Sequence, residues 1–153
     1  MKLVSRLREA FDAEADVEKA GKQSAYLLNQ FPFFGIIKPR QRDIAKAIFR
    51  QGVDEPWEEV VRRLFDQPER EFHYSAIDLA LMMRKRWTQA HLPLFIELVR
   101  QHSWWDTVDP VADGLIGRLL QAEPTLLHHP DMWIEDASMW VRRVALIYQL
   151  KWK

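Results

Sequence analysis

The sequence predicts an all-α protein built as an αα-superhelix, on three observations. Apolar residues recur at three- and four-residue spacing along most of the chain, no stretch alternates as a half-buried strand does, and prolines and a few polar turns punctuate the pattern. At 153 residues the chain is long enough for one continuous core, so residues 1–153 are expected to form a single domain.

The first helix is expected over about 3–11 and the second over about 17–29, where Ala20, Ser24, Leu27 and Leu28 could share a face. Phe31-Pro32-Phe33-Phe34-Gly35-Ile36 then reads as a rigid aromatic connection. Pro39 suits the first turn of a third helix striped by Ile44, Ala45, Ile48 and Phe49 and ended by Gly52. Pro56 opens the fourth, in which Trp57, Val60, Val61, Leu64 and Phe65 follow the amphipathic spacing without a miss. The fifth, over about 69–85, is apolar on more of its circumference through Phe72, Ala76, Ile77, Leu79, Ala80, Leu81 and Met83, which marks an inner helix.

Pro93 begins an outer helix striped by Leu94, Phe95, Leu98 and Val99, and the segment from Ser103 onward supplies its inner partner. Pro124 and Pro130 bracket a short turn, and a last helix is expected from about 131 or 136 to the end, with Val141, Val144, Ala145 and Tyr148 as core stripe. The pair beginning near Trp57 is echoed near Leu92, a period of about thirty-five residues that suits HEAT-type repeats, in which each helix pair buries its faces against its neighbours.

Composition narrows the function. There is no cysteine, hence no disulfide, thiol nucleophile or thiolate metal site. No apolar run approaches membrane-spanning length and Met1-Lys2-Leu3-Val4-Ser5-Arg6 lacks a signal-peptide core, so a cytoplasmic protein without membrane partners is expected. The net charge of zero argues against gripping polyanions by bulk electrostatics. Yet residues 1–50 carry ten basic against six acidic side chains, and the remainder twelve against sixteen. Basic knots stand at Lys38, Arg40, Arg42 and Lys46, at Arg84-Lys85-Arg86, and at Arg142, Arg143, Lys151 and Lys153, where local positive potential can survive a neutral total.

Ser103-Trp104-Trp105-Asp106-Thr107-Val108-Asp109 is the stretch least like packing material. On a helix Trp105 and Asp109 stand roughly 40° apart, an indole and an acid on one wall. Asp109 lies at the border of a stripe formed by Val108, Val111, Ala112, Leu115 and Leu119, where a carboxylate is partly desolvated and still reachable. Pro110 leaves two readings of the backbone: Asp109 as an N-cap with Pro110 at N1, or a helix begun at Trp104 under a Ser103-x-x-Asp106 capping box, with a kink at the proline. On the last helix Arg143 points roughly 150° from the core stripe with Trp140 one turn earlier, a second aromatic-plus-charge pair away from packing. Asp106, Asp109 and Asp113 share a helix side without a histidine, and His128-His129 sits in a turn where adjacent side chains diverge, so no metal site is expected. Gly114 and Gly117 are expected to permit close helix packing.

Taken together, the Phe31–Ile36 motif followed by Pro39-x-Arg-x-Arg, then Ser103–Asp109, then Trp140-x-x-Arg143-x-Ala145 resembles the AlkD-like DNA alkylation repair family, HEAT-like-repeat DNA glycosylases. The likeness covers roughly the first two thirds of the family pattern, so the C-terminal repeats are expected to be missing from these residues. Pro110 after the aspartate departs from the pattern. The resemblance implies hydrolysis of the N-glycosidic bond of cationic N3- or N7-alkylated purines in duplex DNA, without a deep base pocket, cofactor or metal, by a monomer. It carries Asp109 over as the catalytic carboxylate, and Trp105 and Arg143 as residues facing the damaged nucleotide. Trp104 and Trp140 are expected to assist in binding substrate, and Lys38, Arg40, Arg42 and Arg142 to contact nucleic acid. The alternative is a non-catalytic αα-repeat module that binds protein or nucleic acid, which neutral charge favours.

Overall fold

The computed structural model describes residues 2–152; Met1 and Lys153, the latter the end of a predicted basic knot, lie outside the described residues. All regular structure among the described residues is helical, as the spacing predicts, and no helix is long and apolar enough to cross a membrane. The chain divides into two compact units, Met1–Ala80 and Leu81–Lys153.

In the first unit α1 (Lys2–Ala13) packs against α3 (Lys38–Arg50), with α2 (Val17–Tyr26) between them in the chain, followed by α4 (Trp57–Phe65) and α5 (Arg70–Met82). The five stripe residues of α4 are all buried. α2 ends three residues before the predicted Asn29, because Leu28 and Asn29 adopt φ of 57° and 58°. Asn29 N–H donates to Ser24 C=O at 2.7 Å and Leu28 N–H to Ala25 C=O at 3.0 Å, a Schellman closure that turns Leu27 inward and leaves Leu28 exposed. Gly52 follows α3 at φ 121°, as its placement predicts.

The aromatic connection is a structural device. The buried Glu71 carboxylate accepts hydrogen bonds from the N–H groups of Phe34, Gly35 and Ile36 at 3.0, 3.0 and 3.2 Å. Burial pushes its pKa up, and those amides pull against the rise. Phe34 packs against Phe11 and Phe72, and the Arg70 guanidinium lies 3.7 Å from the Phe31 ring centre. Gly35 has φ 95°, and a Cβ there would stand 2.0 Å from Asp16 C=O, so no side chain fits.

In the second unit 3₁₀ turns at Arg84–Arg86 and Gln89–His91 lead into α6 (Leu92–Arg100), whose stripe is buried as expected. α5 thus stops at Met82, short of the predicted 85. α7 (Trp105–Pro110) passes through one π-helical turn, Val111–Ile116, into α8 (Gly117–Ala122). Pro110 supplies no N–H to the ladder, and immediately after it the ladder widens. The rod therefore continues past the proline, and Asp109 lies inside a helix and is not an N-cap. The N-cap is Trp104, without a side-chain cap; Ser103 Oγ donates instead to Val99 C=O, so the capping box does not form.

In place of the turn predicted between the two late prolines the chain forms a 3₁₀ turn, Pro124–Leu126, and then a short helix, α9 (His129–Trp133), which takes in Pro130 and the earlier of the two starts predicted for the last helix. α10 (Met139–Ile147) begins later than predicted because Ser138 caps it, its Oγ accepting from the N–H groups of Trp140 and Val141. Val141, Val144 and Tyr148 are buried and Ala145 only partly so. α10 packs against α6, α7 and the π turn.

Candidate functional site

The site residues that the sequence singles out on α7 and α10 meet within the second unit. Helical spacing places Trp105 and Asp109 four residues apart on α7, both open to solvent in part, with Trp105 39% exposed. From α10, Arg143 reaches across and grips Asp109 with both prongs: Nε to Oδ1 and a terminal nitrogen to Oδ2, each 2.7 Å. The arrangement is the parallel fork that guanidinium and carboxylate planes favour. Those hydrogen bonds push the Arg143 pKa upward, so it stays a cation throughout the useful pH range.

Side-chain exposures of 44% for Arg143 and 33% for Asp109 decide how firmly the pair is held. An ion pair in that much water is worth about 1 kcal/mol or less, so a phosphate or a developing cation can compete for either partner. The geometry is therefore preorganised and still openable.

One step toward the N-terminus, Trp104 lies against Trp140 with ring centres 5.8 Å apart at 47°. The Trp104 Nε1–H is buried without a hydrogen-bond partner. Trp140 is thus half-buried packing between the start of α7 and the start of α10, and does not stand apart from packing as predicted. Beyond the ion pair the seam continues through Asp113 and Lys151 at 3.5 Å, Gly117 beneath Tyr148, and Trp152 Nε1–H donating to Gly117 C=O at 3.0 Å. A Cβ on Gly117 would stand 2.0 Å from Tyr148 C=O, so its expected close packing is real, whereas Gly114 has nothing within 4 Å of such an atom. Lys151 and Trp152 carry no sequence signal for these contacts, because they lie beyond the periodic part of α10.

The remaining basic candidates already have partners. Arg142 donates to the carbonyls of Asp136 and Ala137 at 2.7 and 3.1 Å, bracing the approach to α10. Arg40 forms a bidentate pair with Glu14 at 2.8 and 2.7 Å, Arg42 lies 3.5 Å from Asp78, and Lys38 Nζ stands 4.5 Å from the Tyr74 ring centre. Burial pushes the Asp78 pKa up, with Gln41 and the nearby cations opposing. No group of three or more metal-ligating side chains occurs among the described residues.

Comparison with known proteins gives the same direction. The family model described as DNA alkylation repair enzyme matches residues 7–153. Among solved structures, the predicted DNA alkylation repair enzyme from Enterococcus faecalis is similar at 31% sequence identity with a TM-score of 0.81, over 90% of this chain and 66% of that one. The chain therefore spans just under two thirds of that protein's length. No curated protein matches the chain.

Proposed function

The chain belongs to the DNA alkylation repair enzyme family, and from that premise we propose that it hydrolyses the N-glycosidic bond of cationic N3- or N7-alkylated purines in duplex DNA. The observation that supports this reading most is the convergence of Trp105, Asp109 and Arg143, an exposed indole beside a carboxylate and a guanidinium that hold each other in register.

Alkylation leaves the purine positively charged. When its bond to C1′ of the sugar breaks, both bonding electrons pass to the base nitrogen, and the base departs neutral without a general acid. Positive charge moves to the sugar, where an oxocarbenium-like centre needs a nearby anion. Asp109 is that anion. Once a backbone phosphate takes over Arg143, the carboxylate faces the sugar and accepts a proton from the water that adds to C1′. Trp105 lies against the nucleotide, excludes water from the developing charge and offers its π face to the cationic lesion.

The test is incubation of the purified protein with duplex DNA containing 7-methylguanine, scoring free base. Release of 7-methylguanine with the undamaged bases retained is the expected result. Binding of duplex without any release would favour the non-catalytic module, with the Asp109–Arg143 pair serving only as a clasp between helices.

A further inference from the structure

Gly114 lies in the π turn, on the side of the rod that the fold leaves open. Val111, Ala112, Leu115 and Ile116 of that turn are buried, while Trp105, Asp109, Asp113 and Gly114 keep partial access to solvent. The residues that follow α10 cover one flank of that open side, through Lys151 on Asp113 and Tyr148 over Gly117. Gly114 stays clear of them.

Two circumstances normally oblige a glycine: a left-handed backbone, or a neighbour too close for a Cβ. Gly35 answers to both and Gly117 to the second. Gly114 answers to neither, since its φ lies outside the left-handed region and a Cβ there would meet nothing within 4 Å. A glycine inside a helix costs stability relative to alanine, at Gly21 as at Gly114, and of these two only Gly114 stands on the open side of the rod that carries Asp109.

We infer that Gly114 is a substrate-contact position, where the sugar-phosphate backbone beside the nucleotide held at Asp109 crosses bare main chain. This rests on the glycosylase reading above. The N–H groups of the rod are engaged in its own ladder, so the contact is one of shape: a strand drawn in by Arg143 needs a low place in the helix surface one turn from Asp109. Any side chain there stands in the strand's path.

The experiment compares Gly114→Ala and Gly114→Leu with the wild type and with Gly21→Ala, a second helical glycine with nothing within 4 Å of a Cβ. Melting temperature, duplex affinity by fluorescence anisotropy and single-turnover release of 7-methylguanine are read for each. Gly114→Ala and Gly21→Ala should each raise Tm by about 2–4 °C, with the affinity of Gly21→Ala unchanged. Gly114→Leu should fold with a Tm no lower than wild type yet bind duplex at least about tenfold more weakly. Wild-type affinity in Gly114→Leu overturns the inference, and so does a lower Tm in Gly114→Ala, which would show that the π turn itself requires glycine. Wild type that binds duplex without releasing base refutes the chemistry while affinity still judges Gly114. Wild type that does not bind duplex refutes both.

Discussion

Arg143 and Asp109 form a pair whose two halves are expected to separate in function. Removing the guanidinium should therefore affect binding and chemistry differently from removing the carboxylate. On the proposed role of Arg143 as a phosphate contact, Arg143→Ala should lower the slope of log affinity against log salt concentration by about 0.9, with affinity reduced on damaged and undamaged duplex alike. An unaltered slope would show that Arg143 does not meet a phosphate. Asp136 plays a different part. It accepts from both prongs of Arg100 and from Ser138 N–H, and the Arg100 hydrogen bonds foremost hold its pKa down at about 2. A carboxylate lowered in the folded state adds stability above its ordinary value of about 3.8, and that stability is lost as pH falls through about 2. Urea unfolding should accordingly find Asp136→Asn less stable than wild type at neutral pH, with the gap closing across that window. A gap independent of pH would assign the loss to something other than charge.

Helices carry their own consequences. The buried stripes of the fourth and sixth were legible, and their starts to within a residue, because each buries one regular stripe and needs no special closure. The end of α2 was not, since its left-handed closing residue is a leucine where glycine is the usual signal. The sequence left the path through Pro110 open between a new helix and a continuation with a kink; the rod continues, by way of a π turn that proline spacing alone does not signal. Gly117 shows how closely α10 must approach that rod. Gly117→Ala should destabilise the fold by about 1–3 kcal/mol, measured by denaturant unfolding, because Tyr148 C=O leaves no room for a methyl group. Unchanged stability would mean that α10 can shift without loss. In the first unit the Glu71 carboxylate has a comparable task, and Glu71→Ala, which strands three amide N–H groups, should cost about 3 kcal/mol or more.

Across the whole molecule, the motifs that signalled the family divide into two kinds. The Phe31–Ile36 connection is explained by Glu71 and by aromatic packing, so its regularity records folding constraints. The Trp104–Asp109 and Trp140–Arg143 stretches come together in the second unit through contacts that no single helix wheel contains. Residue type and helical spacing revealed Asp109 and Arg143 as candidates, the acid at the border of an apolar stripe and the arginine on the side of its helix away from the core. Their pairing was invisible, since it depends on how α10 lies against α7. The same limit explains the basic knots: a run of cations in the sequence does not show that Arg40 faces Glu14 or that Arg42 faces Asp78. With net charge zero and those cations already paired, duplex affinity should rest on few phosphate contacts and respond only modestly to salt.

The carboxylate of Asp109 is the centre of this account, and Asp109→Asn probes it with the least change of shape. Under single-turnover conditions on duplex containing 7-methylguanine, base release should fall by about 100-fold or more while duplex affinity stays near that of the wild type. Release at the wild-type rate would contradict the account, leaving the pair with Arg143 as a structural clasp.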